Sequence, residues 1–159
     1  MNLEALKEKQ KEIAKLKAEA QQMASDVFDI FCKEIFEKHT KVESFGWSQY
    51  TPYFNDGDTC TFSANTDYIS INGEYVDESN WVSETNITNY GNWNRDLKVY
   101  EGRVEVPNLD YNPELVKGCD EISEFLRNFE NDFYITRFGD HAQITVTKDG
   151  VDVDEYDHD

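Results

Sequence analysis

Residues 141–159 read HAQITVTKDGVDVDEYDHD, and this stretch predicts a β-hairpin at the end of the chain. Apolar residues alternate with polar ones on both sides of Asp149-Gly150, which is a dipeptide typical of a tight hairpin turn. The alternating apolar residues are Ala142, Ile144, Val146, Val151 and Val153. Because side chains of a strand point to opposite faces in turn, we expect all five to face the core of an antiparallel sheet.

The second strand of this hairpin and the tail after it carry acidic residues and no Lys or Arg. The acidic residues are Asp149, Asp152, Asp154, Glu155, Asp157 and Asp159. We expect Asp152 and Asp154 to point outward on one face, about 6.5–7 Å apart. Such a row resembles the regular charge of a nucleic-acid backbone. The alternative is that the acids protect an edge strand from pairing with another sheet.

The net charge of −18 is unevenly distributed along the chain. Residues 1–41 contain eight Lys and eight acidic residues, whereas residues 42–159 contain seven basic and 25 acidic residues. The whole net charge therefore belongs to the second part. A surface of this kind repels phosphate backbones and argues against direct nucleic-acid binding, and it attracts basic proteins. The alternative is that the acidity only keeps the protein soluble.

The N-terminal residues 2–39 predict one long helix, because they contain no Pro or Gly and many strong helix formers. Apolar residues recur there in two rows with a spacing of seven, as in the seam of a left-handed coiled coil. The seam residues are Leu6, Ile13, Leu16, Ala20, Met23 and Val27. We expect a homodimer through this seam, in which Glu12 of one chain faces Lys17 of its partner. The alternative is that the helix packs back on its own domain.

The pattern of the long helix changes near its end. Apolar residues there cover most of the helix circumference, which predicts burial on several sides. These residues are Val27, Phe28, Ile30, Phe31, Cys32, Ile35 and Phe36. The helix, residues 1–40, is therefore expected to be an exposed arm up to about Ser25 followed by a segment docked on the core.

Residues 41–159 predict one acidic α+β domain. Strand patterns precede residue 77, and Asn72-Gly73 predicts a hairpin turn. The expected strands are 42–49, 59–64, 68–71 and 74–76. Residues 77–112 form an irregular insertion rich in Asn and aromatic residues, including Trp81, with a short strand pair expected within 97–106. We expect this insertion to be a small subdomain or a functional loop.

A second helix is predicted to begin at Asn112-Pro113, because Asn favours the cap position and Pro the first helical position. Its apolar stripe comprises Leu115, Cys119, Ile122, Phe125, Leu126 and Phe129. Residues 133–138 then predict a strand closed by Gly139. The complete order predicts an α+β fold, with an antiparallel sheet and the second helix packed on one face.

The cysteines and the apolar runs bear on the compartment. Cys32, Cys60 and Cys119 are odd in number and widely spaced, which favours reduced, packed thiols over a disulfide frame or a zinc site. No apolar run approaches the roughly 18 residues of a membrane span, and the Lys/Glu-rich start lacks a signal core. We expect a cytoplasmic protein without a membrane partner.

Two segments are similar to a known family. Residues 47–58, WSQYTPYFNDGD, resemble the WxQYTPYFNDGD signature of an uncharacterised family of small bacteriophage and bacterial proteins. Residues 138–159 resemble the closing segment of the same family, FGDH through TVTKDG to EYDHD. Together the two segments cover about a fifth of the chain. The resemblance implies a phage or prophage setting, and it implies no activity.

Two places offer groups for metal or acid–base chemistry. Asp56 and Asp58 flank Gly57 in a turn and could give oxygens to a divalent cation, although the turn supplies fewer ligands than calcium requires. The structural alternative is a tight turn with Tyr50, Tyr53 and Phe54 packed as a hydrophobic cap. His141 follows Asp140 and could belong to a catalytic pair, but no known catalytic motif accompanies it.

These observations predict a non-enzymatic acidic protein that needs no cofactor and binds the basic surface of a host protein. In its sharper form the protein mimics nucleic acid and inhibits a host defence or nucleic-acid-handling protein. One alternative is a coiled-coil structural or assembly protein, in which the acidity only solubilises. Another is a small metal-dependent hydrolase with its site near residues 50–58 and His141.

Overall fold

The computed structural model describes residues 2–75 and 85–158, and it confirms the α+β fold. Within these residues the helices are α1 (Leu3–Lys38), α2 (Pro113–Arg127) and α3 (Asn131–Phe138). The strands are β1 (Ser44–Tyr50), β2 (Ser63–Ala64), β3 (Ser70–Ile71), β4 (Glu74–Tyr75), β5 (Asn86–Asn89), β6 (Asn92–Asn94), β7 (Val99–Glu101), β8 (Val104–Pro107), β9 (Ala142–Thr147) and β10 (Gly150–Glu155). Trp81, Val76 and Asp159 lie outside the described residues.

Helix α1 is buried along one face only. Asn2 caps its start by accepting a hydrogen bond from the Ala5 N–H at 2.9 Å. The buried residues are Phe28, Cys32, Ile35 and Phe36, with Phe31 half-buried. Val27 and Ile30 are 46% and 59% exposed, so the expectation of burial on several sides was wrong. The domain docks against a single face of the helix and leaves the opposite face open.

The first half of α1 projects away from the domain. Residues 3–20 are exposed, apart from half-buried Ala5. Contact with the domain begins at Gln21, whose amide donates to the Phe133 carbonyl at 3.4 Å, and continues where Arg137 donates to the Ser25 carbonyl at 3.0 Å. At about 1.5 Å per residue, the projecting part is roughly 27 Å long.

Strand β1 is the centre of a six-stranded antiparallel sheet with the order β10-β9-β1-β3-β4. On the other side of β1, strand β3 pairs with Phe45 and Gly46 near the start of β1. Strand β2 pairs with Gln49 and Tyr50 at the end of β1. The hairpin turn at Asn72-Gly73 was predicted, and it joins β3 to β4. The expected strand at 59–64 is reduced to Ser63–Ala64. Strand β10 has no neighbour on its outer side among the described residues.

The core lies between one face of this sheet and the three helices. On β1, Phe45, Trp47 and Gln49 face the helices, and their register partners on β9 are Val146, Ile144 and Ala142. The Phe28 ring, which is 0% exposed, contacts the rings of Trp47, Phe129, Phe133 and Phe138 with centroid distances of 5.6–6.2 Å. These mostly edge-to-face contacts add about 0.5–1.5 kcal/mol each to the gain from burial.

The Gln49 side chain is a fully buried amide, with 0% exposure. Its Oε1 accepts from the Trp47 indole N–H at 3.0 Å, and its Nε2 donates to the carbonyls of Tyr134 at 3.1 Å and Gly139 at 2.6 Å. Because a buried amide without partners is costly, these three bonds fix β1 relative to the end of α3.

Residues 133–138 lie in helix α3, so the predicted strand there was wrong. Phe133, Tyr134 and Phe138 are buried, whereas Ile135 is 37% exposed. This spacing places the aromatic rings on one helical face against Phe28 and Trp47. The Tyr134 hydroxyl donates to the Leu126 carbonyl, and burial raises the pKa of Tyr134.

Helix α2 begins as predicted, since the Asn112 side chain accepts from the Leu115 N–H at 3.1 Å. Of the predicted stripe, Leu115, Cys119, Ile122 and Leu126 are buried, and Phe125 and Phe129 are half-buried. Gly118 faces the corner after α1, where a Cβ atom would lie 2.9 Å from a methyl group of Val42. The interior glycine therefore permits close packing at this corner.

The end of α1 is joined to α2 by ionic hydrogen bonds. The Glu121 carboxylate contacts His39 Nε2 at 2.7 Å and Lys38 Nζ at 2.9 Å. The bond with His39 and then that with Lys38 lower the pKa of Glu121. The three cysteines are free. Burial raises the pKa of Cys32 to about 12 and that of Cys119 to about 11, so these thiols stay protonated.

Residues 86–107 form a two-stranded ribbon outside the main sheet. β5 pairs with β8 and β6 pairs with β7, so the ribbon is one long hairpin with a break in the middle. The expected pairing of two strands within 97–106 was wrong, because β7 and β8 do not pair with each other. Strand β7 pairs with β6, and β8 pairs with β5. Trp93 and Tyr100 are register partners with ring centroids 4.8 Å apart, and each is about half exposed.

We predict that Gln49→Leu lowers the free energy of unfolding by about 2–4 kcal/mol, because the Trp47 N–H and two main-chain carbonyls lose their partner in a buried site. Urea denaturation followed by tryptophan fluorescence measures this change. The matched control is Gln22→Leu on the exposed surface of α1, for which we expect a change within about 0.5 kcal/mol. Equal stabilities of the two variants would contradict the prediction.

Candidate functional site

Three segments that are distant in sequence meet at one end of the sheet. β1 pairs with β9 and β9 with β10, so that Gln49, Ala142 and Glu155 lie side by side. The loop after β1, the residues before β9 and the tail after β10 therefore leave the sheet at the same end. Their side chains form a cluster, called here the Tyr/His cluster, of Tyr50, Thr51, Tyr53, Asp140, His141, Tyr156 and His158.

Asp140 holds the loop after β1 against the start of β9. Its Oδ1 accepts from the Thr51 N–H at 2.7 Å and the His141 N–H at 2.8 Å, and its Oδ2 accepts from the Thr51 hydroxyl at 2.7 Å. Burial raises the pKa of Asp140, but the side-chain and main-chain hydrogen bonds of Thr51 lower it more, so the carboxyl stays below its usual range. The carboxylate is therefore a charged structural acceptor.

His141 contacts the tail of the chain through both its backbone and its ring. Its carbonyl accepts from the Tyr156 N–H at 2.7 Å, and its Nδ1 lies 2.7 Å from Nε2 of His158. The backbone has φ +51°, which is uncommon for a residue other than Gly and marks a locally constrained conformation. The Asp140 Oδ2 lies 3.7 Å from His141 Nε2, on the other side of the ring.

The His158 ring lies among tyrosine rings. It stacks on Tyr53 with a centroid distance of 4.4 Å and on Tyr50 at 3.9 Å. Tyr53 also stacks on His141 at 4.9 Å, and Tyr50 lies 5.5 Å from Tyr156. These contacts tie residues 156–158 to the loop after β1. The expected hydrophobic cap was wrong, because Tyr53 and Phe54 are 63% and 77% exposed and Tyr53 packs on imidazoles.

The short contact between the two histidines limits their chemistry. One nitrogen must donate and the other must accept, so the pair keeps this contact only while at least one ring is neutral. Asp56 and Asp58 make no hydrogen bond or ion pair with His141 in residues 2–75 and 85–158. In the same residues, no group of three or more His, Cys, Asp or Glu side chains is arranged to hold a metal ion.

The predicted acidic residues lie along the outer strand of the sheet and beyond its end. Asp149, Asp152, Asp154, Glu155 and Asp157 are exposed, and Asp159 lies outside the described residues. Asp152 and Asp154 lie opposite Thr145 and Gln143, on the face away from the helices. Val151 and Val153 lie opposite Val146 and Ile144, on the face that covers the core as expected, but Val151 is only half-buried and Val153 is 49% exposed. Strand β10 is at the edge of the sheet, beyond the helices that cover β9 and β1, which explains the exposure of Val153.

The predicted seam residues lie on the open face of α1. Leu6, Ile13, Leu16, Met23 and Val27 are 46–67% exposed, and Ala20 is exposed as well. Ile30 continues the same row. The row therefore runs from the projecting arm into the segment that docks on the domain by its other face.

Sequence reasoning did not find His158 and Tyr156 as members of a cluster with His141. The signal was present in two forms. The register set by the turn at Asp149-Gly150 places Tyr156 opposite His141, and the tail belongs to the second segment of the family resemblance. What the sequence did not show is the pairing of β1 with β9, which brings Tyr50 and Tyr53 to the same place.

Comparisons of the chain with protein-family models, with curated proteins and with solved structures give no match. Among the described residues, none of the helices has the length and the apolar composition that crossing a bilayer requires.

We predict that Asp140→Asn lowers the free energy of unfolding by about 1 kcal/mol at neutral pH, because the carboxylate accepts three hydrogen bonds and is partly exposed. Its pKa is lowered in the folded state, so its stabilising effect is complete above the unfolded pKa and disappears as the pH falls through the folded pKa. The difference from the wild type should therefore shrink below about pH 4.

Urea denaturation at a series of pH values measures this difference. The control is Asp149→Asn in the exposed hairpin turn, for which we expect a change within about 0.5 kcal/mol. A deficit of Asp140→Asn that stays constant down to the lowest pH at which the protein folds would refute the role of the charge.

Proposed function

We propose that this chain is a non-enzymatic acidic protein that binds a basic surface of another protein. The observation that carries this proposal is the exposure of five acidic side chains in β10 and beside it, namely Asp149, Asp152, Asp154, Glu155 and Asp157. All are exposed, and none forms an ion pair with a base in residues 2–75 and 85–158. Carboxylates that no base of the described residues neutralises are available to an external base.

The charge of the domain strengthens this interaction. All of the −18 net charge belongs to residues 42–159, so the field around the domain attracts a basic surface from a distance. At physiological ionic strength the screening length is about 8 Å, and attraction between exposed charges falls steeply as salt rises. Binding that depends on these carboxylates is therefore sensitive to salt.

A host protein that handles nucleic acid is the partner class we favour. Asp152 and Asp154 repeat at strand spacing, about 6.5–7 Å, and give a row of negative charge on one face. A protein surface that binds a phosphate backbone accepts such a row through the same Lys and Arg side chains. The resemblance to bacteriophage proteins supports a nuclease, a defence complex or a transcription protein of a bacterial host as the target, in the host cytoplasm.

A homodimer through the seam of α1 would double this surface. An exposed row of mostly large apolar side chains is unusual on a monomer, and apart from Lys9 it matches the a and d positions of a coiled coil. Residues 1–41 carry no net charge, so two arms can approach without the repulsion that separates two domains. Two acidic edges in one particle bind a repeated basic target with higher avidity. If the seam alone is the function, the protein is an assembly component.

We predict that affinity purification from the natural host captures a basic protein at low salt and releases it steeply as salt increases. Asp152→Asn combined with Asp154→Asn should weaken the binding about twofold to thirtyfold, because exposed charge pairs contribute about 0.2–1 kcal/mol each. The matched control is Asp120→Asn with Glu124→Gln, which removes two exposed charges from α2. Capture that is indifferent to salt, or equally weakened by both variants, would refute the edge as the binding surface.

We further predict that Ile13→Asp with Leu16→Asp converts a dimer into a folded monomer, because charged side chains are excluded from an apolar seam. Light scattering gives the mass, and circular dichroism verifies the fold. Ala14→Asp with Ala18→Asp adds the same two charges outside the seam and should leave the dimer intact. A wild-type chain that is monomeric at all concentrations measured would eliminate the seam as an interface.

A further inference from the structure

The contact between His141 and His158 has the geometry of a straight hydrogen bond. His141 Nδ1 and His158 Nε2 are 2.7 Å apart, and the planes of the two rings differ by 14°. The ring centroids are 5.0 Å apart, a separation that this short contact permits only when both nitrogens lie on the line between the centroids. The two rings therefore lie edge to edge in one plane, with room for one proton between them.

This contact joins the tail after β10, residues 156–158, to the start of β9. The Tyr156 N–H adds a second bond by donating to the His141 carbonyl at 2.7 Å. Tyr53 covers both imidazoles, with centroid distances of 4.9 Å to His141 and 4.4 Å to His158, and Tyr50 stacks on His158 at 3.9 Å. We propose that the two histidines form a pH-sensitive latch, which holds the tail against the sheet while at most one ring is protonated and releases it when both are.

The number of protons decides whether the contact persists. Between two neutral rings, one N–H donates to the bare nitrogen of the other ring. After one proton is added, an imidazolium donates to a neutral imidazole, which is a stronger bond of the same geometry. After a second proton is added, both nitrogens carry hydrogen, and two N–H groups that face each other cannot remain 2.7 Å apart. The rings must then separate.

The charges around the pair favour its protonation but do not hold two charged rings together. The titratable groups that face it are the carboxyls of Asp140 and Asp157 and the phenols of Tyr50, Tyr53 and Tyr156. Asp140 Oδ2 lies 3.7 Å from His141 Nε2, on the side of the ring away from His158. Asp157 lines the recess beside His158. Both carboxylates attract protons to the rings, but neither bridges the two nitrogens that repel each other.

His158 is the ring that leaves when the two separate. His141 directly precedes β9, and its N–H donates to Asp140 at 2.8 Å. His158 follows β10, whose last register pair is Glu155 with Ala142, so its departure breaks no pairing of the sheet. Release uncovers the ring of Tyr50 and separates the tail from the end of the acidic edge. The latch works without a bound partner, so its failure would leave the proposed function standing.

The sign of the pH dependence follows from the protons that each state binds. Free histidine side chains take up protons near pH 6.5, so the released state binds two protons below about that value, whereas the docked pair binds one. The ratio of docked to released tail should therefore fall about tenfold for each pH unit below about pH 6.5. Burial raises the pKa of Asp140, but the hydrogen bonds of Thr51 lower it more, so this carboxylate stays charged in the same range.

Amide hydrogen exchange of the full chain, followed by nuclear magnetic resonance, tests the latch between about pH 8 and pH 5. The protection of the Tyr156 amide, taken relative to its intrinsic exchange rate at each pH, measures the ratio of docked to released tail. We expect this protection to fall as stated while amides in the middle of β9 keep theirs. The ring resonances of the histidines report their own protonation. Protection that persists after both rings are charged would overturn the proposal.

Variants assign the effect to the pair. His158→Phe keeps a ring for stacking and has no titratable nitrogen, and His141→Asn places a residue that tolerates φ +51° and carries no charge. Any protection of Tyr156 in these variants should be independent of pH. His39→Gln removes a histidine that contacts Glu121 instead, and it should retain the wild-type fall. A fall of wild-type size in His158→Phe or His141→Asn would show that another group controls the tail and would overturn the latch.

Discussion

The buried amide of Gln49 is the interaction on which the arrangement of this protein depends. Apolar contacts between the sheet and the helices are strong but have little directional preference, so they permit several relative positions. A fully buried amide is different, because each of its polar groups must find a partner at a fixed distance and angle. Gln49 finds Trp47 on its own strand and two carbonyls around the end of α3. The end of that helix can therefore occupy one position against β1.

The Tyr/His cluster inherits its geometry from this constraint. Gly139, which accepts from Gln49, is followed directly by Asp140 and His141. Tyr50 and Thr51 directly follow Gln49 on the other side of the contact. Once Gln49 is satisfied, the two segments are adjacent, and Asp140 can bond to Thr51 without further adjustment of the chain. The residues Trp47 and Gln49 of the first resemblance segment are thus structural, whereas Tyr50 and Tyr53 are at the surface of the cluster.

Local signals predicted much of this fold, and the failures have a common physical cause. The cap of α2, the turn at Asn72-Gly73 and the alternation on β9 depend on neighbouring residues, and all are found in the structure. Helix α3 was mistaken for a strand because its residues are aromatic and β-branched and because Glu130, which precedes it, is not a residue type that favours the N-cap position. Packing of its rings against Phe28 and Trp47 overrides that preference. The cluster was missed for the same reason, since the long-range pairing of β1 with β9 creates it.

The position of β10 restricts how a partner can bind. An open edge strand normally invites another strand, because its outer N–H and C=O groups are unpaired. Here the neighbours of those groups are carboxylates, and a second acidic or neutral strand would have to bury them without compensation. Addition of a strand is therefore disfavoured, and contact through side chains remains. The basic partner proposed above would reach this edge with Lys or Arg side chains, as surfaces that bind phosphate backbones do. The acids that disfavour pairing of this edge with another strand are thus the same acids that the proposed function assigns to a basic partner.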